Sequence, residues 1–298
     1  MNRKLYKLLL VLILNVSLGH SQNDVSTLKV MTYNIWNGFD WGKDTERKAA
    51  WIAWINEKDQ DVLALQELCG YNEDKLKADA KKWGHPYVKI LKSKGYPVGI
   101  TSKQPITLKQ RILEGFWHGM LHCETFGIDF FVVHLSPADS DFRLKEAYNI
   151  TDRITLHGGD NYVILGDFNA HSPFDESSLR GNKTLLEQYR GSKDDKYSNL
   201  RLGAYDYAVI SRFISLPAID VTKDFVSIDE RYTFPTPVLV SPDRSKEKID
   251  QQKQRIDYIF TSPILSKSCV NVEVFNSGAT EGLSDHYPLM ATFRLENP

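Results

Sequence analysis

The sequence predicts an α/β protein in which two mixed β-sheets pack face to face, each covered by helices on its outer side. Three observations carry that expectation. Neighbouring apolar runs such as Met120–Thr125 and Ile128–His134 are only two residues apart, the spacing of hairpin strands. Other runs, such as Ile128–His134 and Tyr162–Leu165, are separated by an amphipathic helical stretch, as crossover strands are. The helices between the middle strands are also too few to coat a single doubly wound sheet, which is the alternative architecture.

In chain order, Leu28–Tyr33 reads as the first strand. Asp44 can N-cap a helix whose apolar positions Ala50, Trp51, Trp54 and Ile55 recur at helical spacing. Asp61–Leu65 is the second strand, and a polar helix with Leu76, Ala80 and Trp83 on one face follows it. Tyr87–Ile90, Val98–Thr101, Met120–Thr125 and Ile128–His134 give the middle of the chain a meander character. After Asp139, the positions Leu144, Ala147, Ile150 and Ile154 mark another amphipathic helix, which leads into the strand Tyr162–Leu165. Ser172–Lys253 is loop-rich, with many Pro and Asp residues and one helix near Thr184–Tyr189. Ile256–Thr261, Val270–Phe275 and Leu289–Leu295 close the chain as strands.

Bulk properties narrow the setting. Arg3, Lys4 and Lys7 precede the apolar run Leu8–Leu14, and Gly19-His20-Ser21 offers small residues for a signal peptidase. Residues 1–21 therefore read as an export signal, too short for a permanent membrane span, with 22–298 as one domain. Export would leave the protein periplasmic, on the outer surface or secreted. No Cys stands at the junction, so a lipid anchor is not indicated. Losing that segment removes three positive charges and no acidic one, which takes the net charge from −1 to −4. Lys and Arg are dispersed rather than clustered, which argues against strong, sequence-independent duplex binding. Cys69, Cys123 and Cys269 are too few and too scattered for a disulfide framework or a zinc site.

The chemistry gathers at the strand ends. Gly166-Asp167-Phe168-Asn169-Ala170 directly follows Tyr162–Leu165, and the Gly ends the run in a turn that presents a carboxylate and an amide. Tyr33-Asn34, Gln66-Glu67, His134 and Ser284-Asp285-His286 sit in the same way beside apolar runs, and Asp257 lies inside one. Singly each has a plain structural alternative: Asn34 can satisfy backbone groups, Glu67 can cap a helix, and Asp285-His286 can be a turn before Pro288. Six such ends together point to one crevice at the ends of the strands. Glu67 and Asp285 are hard oxygen ligands suited to Mg²⁺. Asn34 can bind the ion through water or touch a phosphate oxygen. His134 and His286 can contact non-bridging oxygens, with Asp257 orienting one imidazole.

These motifs resemble those of the endonuclease/exonuclease/phosphatase superfamily, the fold shared by DNase I, apurinic endonucleases, neutral sphingomyelinases and inositol polyphosphate phosphatases. The likeness runs from Thr32-Tyr33-Asn34 to Ser284-Asp285-His286. It implies a four-layer α/β/β/α sandwich and hydrolysis of a phosphate ester by a metal-positioned water, without a covalent intermediate. Under that resemblance Glu67 is the principal metal ligand, with Asn34 and Asp285 around it, and Mn²⁺ or Ca²⁺ are alternatives to Mg²⁺, as one ion or two. Asp167 activates or orients the water and Asn169 holds it or a phosphate oxygen. His286 contacts phosphate with Asp257 as its carboxylate partner, and His134-Leu135 is similar to the His-Leu pair of the DNase and sphingomyelinase branches. Where many relatives continue with Ser-Arg, this chain has Ser102-Lys103, so Lys103 is the candidate for that phosphate contact. His171 is a further cleft candidate, and Trp36, with Phe39 and Trp41, forms either core or an aromatic wall.

The resulting expectation is an exported, Mg²⁺-dependent phosphodiesterase, foremost a nuclease on DNA or RNA. A sphingomyelinase-like phospholipase C or a sugar or inositol phosphatase is the second reading, and a catalytically silent binding module the third. No protein partner is indicated.

Overall fold

Runs such as Val62-Leu63-Ala64-Leu65 and Val163-Ile164-Leu165 are apolar at every position instead of alternating, the mark of strands covered on both faces. The computed structural model, which describes residues 26–191 and 199–295, buries both along their whole length. In chain order the strands are β1 (Ser26–Asn34), β2 (Val62–Gln66), β3 (Tyr87–Ile90), β4 (Gly99–Ser102), β5 (Thr107–Ile112), β6 (Met120–Thr125) and β7 (Ile128–His134). They continue as β8 (Tyr162–Asp167), β9 (Leu200–Arg201), β10 (Ala204–Tyr205), β11 (Ile219–Asp220), β12 (Asp257–Thr261), β13 (Cys269–Val274) and β14 (Leu289–Leu295).

Two six-stranded sheets result, ordered β13-β14-β1-β2-β4-β3 and β11-β12-β8-β7-β6-β5, with β9 and β10 as a separate ribbon. Each sheet has one parallel pair at its centre, β1 with β2 and β7 with β8, and antiparallel neighbours outside it. The helix Thr45–Lys58 makes the first crossover and the helix Ser140–His157 the second. Asp44 and Asp139 cap them, accepting from Arg47 N and Phe142 N. Between the sheets lies a shared core that includes Val30, Ala64, Ile100, Phe130, Val163, Ile259 and Phe293. Outside it, Tyr33, Leu63 and Leu65 pack on Trp51, Trp54 and Ile55, while Phe131, Val133 and Ile164 pack on Ala147, Ile150 and Phe213. This is the four-layer α/β/β/α sandwich.

Several elements of the structure were not foreseen. β5 was unforeseen because Thr-Leu-Lys-Gln-Arg-Ile is a mostly polar edge strand with little apolar signal. The helix Ala208–Ile214 and the short strands β9–β11 hid inside the loop-rich segment, whereas the helix expected near Thr184–Tyr189 is present as Lys183–Arg190. The export segment lies outside the described residues. All three cysteines are free and buried. No helix among the described residues is long and apolar enough to cross a membrane.

Candidate active site

Strand register assembles the site. In the second sheet His134 pairs across from Asp167, and Asp167 across from Asp257, so three neighbouring strands deliver three polar groups to one end. In the first sheet Asn34 and Gln66 end the parallel pair, and Glu67 follows. Asn34 then joins the sheets, because its Nδ2 donates to Glu67 Oε1 at 3.2 Å and to Asp167 Oδ2 at 3.1 Å. Gly166 permits the closeness of β7 and β8: at φ 141 its position leaves a Cβ only 1.9 Å from the Val133 carbonyl oxygen. Beyond it, Asn169 takes φ 48, donates its backbone N–H to Asp167 Oδ1 (2.9 Å) and its side-chain amide to Leu135 O (3.1 Å).

The stretch after Asn34 is a left-handed helical turn. Every residue from Trp36 to Gly42 has φ between 50 and 85, although only Gly38 and Gly42 take that region without steric penalty. The turn aims the Asn37 N–H at Glu67 Oε2, 2.7 Å away. It is held from behind by Arg47, which donates to the carbonyls of Ile35, Trp36 and Leu283 and lays its guanidinium over the Trp36 and Phe39 rings. Gly38 cannot be larger, since a Cβ there would meet Cys69 O at 2.1 Å.

Electrostatics in the site are strongly coupled. His286 Nδ1 lies 2.9 Å from Asp257 Oδ2, and its Nε2 is 3.7 Å from Asp167 Oδ2. Burial works against the charge on His286, yet the carboxylates of Asp257 and Asp167 hold its pKa well above the ordinary value. Burial, with the Asp257 charge, pushes Asp167 up to about 8, and burial, with the Glu67 charge, pushes Asp285 up to about 6. His134 goes the other way, driven far down by burial and then by neighbouring His118 and His286. It sits 3.4 Å from Asp167 Oδ2 and stacks on His118 at 4.2 Å between ring centres.

Asp167, Asp257 and His286 offer ligand atoms all within 4.8 Å of one another, a group able to hold a metal ion. Crowded carboxylates with raised pKa values, and buried Asp257 Oδ1 and His134 Nδ1 without partners among the described residues, fit a cation and a polar substrate. Beside His286 and Asn169 a pocket of about 140 Å³ is walled by Arg143, Tyr189, Asn199, Gln254 and Phe234. A second cavity of about 150 Å³, near Tyr232, is bordered by the ion-paired Asp175, Arg231 and Arg255.

Not all the candidates converge. Lys103 is a correction: β4 runs antiparallel to β2, so the residue after β4 stands beside Asp61 at the far end of β2, roughly 20 Å from Glu67 at about 3.3 Å per residue. There it pairs with Asp59 and Asp61. His171 is buried behind the pocket, with Nε2 2.8 Å from Gln254 Oε1, and backs the wall without lining it. Trp36 is half-buried under Arg47, Phe39 is core, and Trp41 is exposed. His118 was missed, although it too stands at the end of an apolar run, just before β6. The pocket residue Arg143, on the helix Ser140–His157, gave no signal that separates it from a surface arginine.

The sequence from 31 to 286 matches the profile of the Endonuclease/Exonuclease/phosphatase family. The chain belongs to that family. Members of the Endonuclease/Exonuclease/phosphatase family are phosphoric ester hydrolases, and the fold agrees with solved structures. An AP endonuclease from Archaeoglobus fulgidus superposes with a TM-score of 0.64 at 20% identity, covering 90% of this chain and 100% of that one. The 3'-5' exonuclease NExo from Neisseria meningitidis gives 0.62 at 19% identity, with 90% and 100% covered. The AP endonuclease LMAP from Leishmania major gives 0.59 at 14% identity, with 90% and 88% covered. No curated protein matches the sequence.

Proposed function

We propose that the protein is an exported, Mg²⁺-dependent phosphodiesterase and, within that class, a nuclease on DNA or RNA. The observation that carries the reading is the single array of buried Asn34, Asp167, Asp257 and His286 with half-buried Glu67, spanning the ends of both sheets. Glu67, with Asp285 and Asn34, would hold the ion, with Mn²⁺ or Ca²⁺ as alternatives. A divalent ion there supplies positive charge to the phosphate and makes a neighbouring water more acidic. Asp167, fixed by Asn34 and by the Asn169 N–H, orients the attacking water and accepts its proton. His286, kept cationic by Asp257, donates Nε2–H to a non-bridging phosphate oxygen as charge builds there. His134 supplies a neutral imidazole to a second oxygen, and Asn169 fixes the loop at Leu135. The apolar run within residues 1–21 supports export.

A second reading, hydrolysis of a small sugar or inositol phosphate, is favoured by the pocket beside His286, whose size and polar walls suit one hydroxylated group. The test is a panel of DNA, RNA, sphingomyelin and sugar and inositol phosphates with Mg²⁺ or EDTA, run beside Glu67→Ala and His286→Ala. Release of nucleotides that EDTA and both substitutions abolish is the expected outcome. Hydrolysis of sugar phosphates alone moves the assignment to the second reading, and of sphingomyelin alone to a phospholipase. Mg²⁺ binding with no hydrolysis at all returns a silent module.

A further inference from the structure

Along the Glu67 and His134 side of the site, five rings from four separate segments form an unbroken row. Trp41 meets Tyr96 edge to face at 6.0 Å, Tyr96 tilts on His118 at 5.5 Å, His118 meets Trp117 at 6.5 Å, and Trp117 meets Phe142 at 6.1 Å. The row touches the reaction centre, because His118 also stacks on His134 at 4.2 Å. Trp41, at one end, and Trp117, next to the other, are 47% and 52% exposed. The supporting loops are anchored: Leu68 N donates to Pro97 O at 2.9 Å, and the buried Glu146 accepts from both Trp117 N and Ser136 N at 2.8 Å.

Lys92 shares the β3–β4 loop with Tyr96. It is half-buried, it makes no hydrogen bond or ion pair among the described residues, and its charge reaches His118 and His134. Partial burial lowers its own pKa. An ammonium that gives up water without gaining a partner is uncommon, and an incoming anion is its natural counterpart.

Building on the nuclease reading, we propose that this row seats a single-stranded nucleic acid. A base stacks on Trp117, the next lies toward Trp41, and the phosphate adjoining the scissile one is bound by Lys92. Stacking needs bases whose faces are free, which a duplex withholds and a single strand offers, and it tolerates any sequence. The charge of the chain agrees. A net charge of −1 with dispersed basic residues leaves little to neutralise the 6–10 phosphates a duplex binder commonly contacts. A choline headgroup is disfavoured, since Lys92 would repel its quaternary ammonium.

The test compares wild type, Trp117→Ala, Trp117→Phe and Lys92→Met on a single-stranded oligonucleotide, the same sequence as duplex, and bis(p-nitrophenyl) phosphate, which has neither a base nor a second phosphate. Wild type should cleave the single strand at a KM roughly tenfold or more below that of the duplex. Trp117→Ala should raise the single-strand KM by about fivefold or more, the low end of one stacked base, and Trp117→Phe should restore most of it. Lys92→Met should raise it similarly and flatten the salt dependence of log KM by about 0.7, one phosphate contact on a single strand. Both losses should far exceed any change in kcat/KM for the chromogenic diester. Wild type that cleaves the strand while both variants keep its KM overturns the proposal and leaves the nuclease reading intact. So does binding to sphingomyelin vesicles that Trp117→Ala abolishes without touching oligonucleotide kinetics. Wild type inactive on every polynucleotide fails the nuclease reading itself, and the proposal with it.

Discussion

His85 gives a stability prediction that can be worked through from the structure. Its ring is fully buried, with Nε2 2.7 Å from the Gln60 carbonyl and Nδ1 2.7 Å from Thr101 Oγ1. The carbonyl can only accept, so Nε2 carries the proton and Nδ1 accepts from the threonine hydroxyl. The neutral imidazole is satisfied; a second proton would have no carboxylate bonded to the ring, with only the field of Asp61 in its favour against that of Lys103. Burial accordingly lowers the pKa from 6.5 to about 4, a proton affinity weaker than in the unfolded chain by roughly 300-fold, or about 3 kcal/mol. Between those values the unfolded chain binds more protons, so stability is fully present above pH 6.5 and falls as pH drops toward 4. His85→Gln keeps an N–H for Gln60 and cannot titrate. It should cost about 1 kcal/mol at pH 7.5, the worth of one lost hydrogen bond. Near pH 4 the wild type has lost about 3 kcal/mol that the variant has not, and the order of stabilities reverses. Urea unfolding across pH 4–8 measures both curves. Parallel curves, with no narrowing of the gap on acidification, would refute the reasoning.

Other outcomes follow from the site. Gly166→Ala should cost about 4 kcal/mol or more, since its Cβ would occupy the space of the Val133 carbonyl oxygen at a φ that alanine avoids; thermal unfolding checks this, and an unchanged Tm contradicts it. Asp257→Asn should remove the carboxylate that holds His286 cationic, lowering kcat by about 100-fold and drawing the alkaline limb of the pH profile downward. Added Mg²⁺ should raise Tm by relieving the repulsion between Glu67 and Asp285, and Glu67→Ala should abolish that increment; equal Tm values with Mg²⁺ and with EDTA would count against the site as an ion holder.

Strand ends were legible because each joins a strong apolar run to a polar residue, and Asn34, Glu67, His134 and Asp167 all follow strands that run toward the site. Asp257 and His286 precede their strands, which run the opposite way, and were found only because the polar residues stood out on their own. The same reasoning failed at Lys103: nothing local reveals that β4 points away from the cleft. With that direction known, the residues before β4 become the ones at the site, and Lys92 and Tyr96 are among them. The left-handed turn was invisible for a different cause. Trp36, Phe39 and Trp41 have no intrinsic preference for positive φ, Asn37 and Asp40 tolerate it only as single residues, and Arg47 and the loop at Cys69 hold the turn in place.

That turn bears on how the protein can be altered. Trp36, Phe39 and Trp41, held left-handed, carry about 1–2 kcal/mol each, with Asn37 and Asp40 at lesser cost, together a sizeable share of the net stability of a whole domain. The exposed Asp40 and Trp41 are where a glycine would release some of it without disturbing the core. A library screened only for heat resistance should therefore gather glycine at positions 40 and 41. The survivors would melt later and hold the Asn37 N–H less firmly against Glu67, so gains in robustness would be drawn from the end of the fold where the polar strand ends meet.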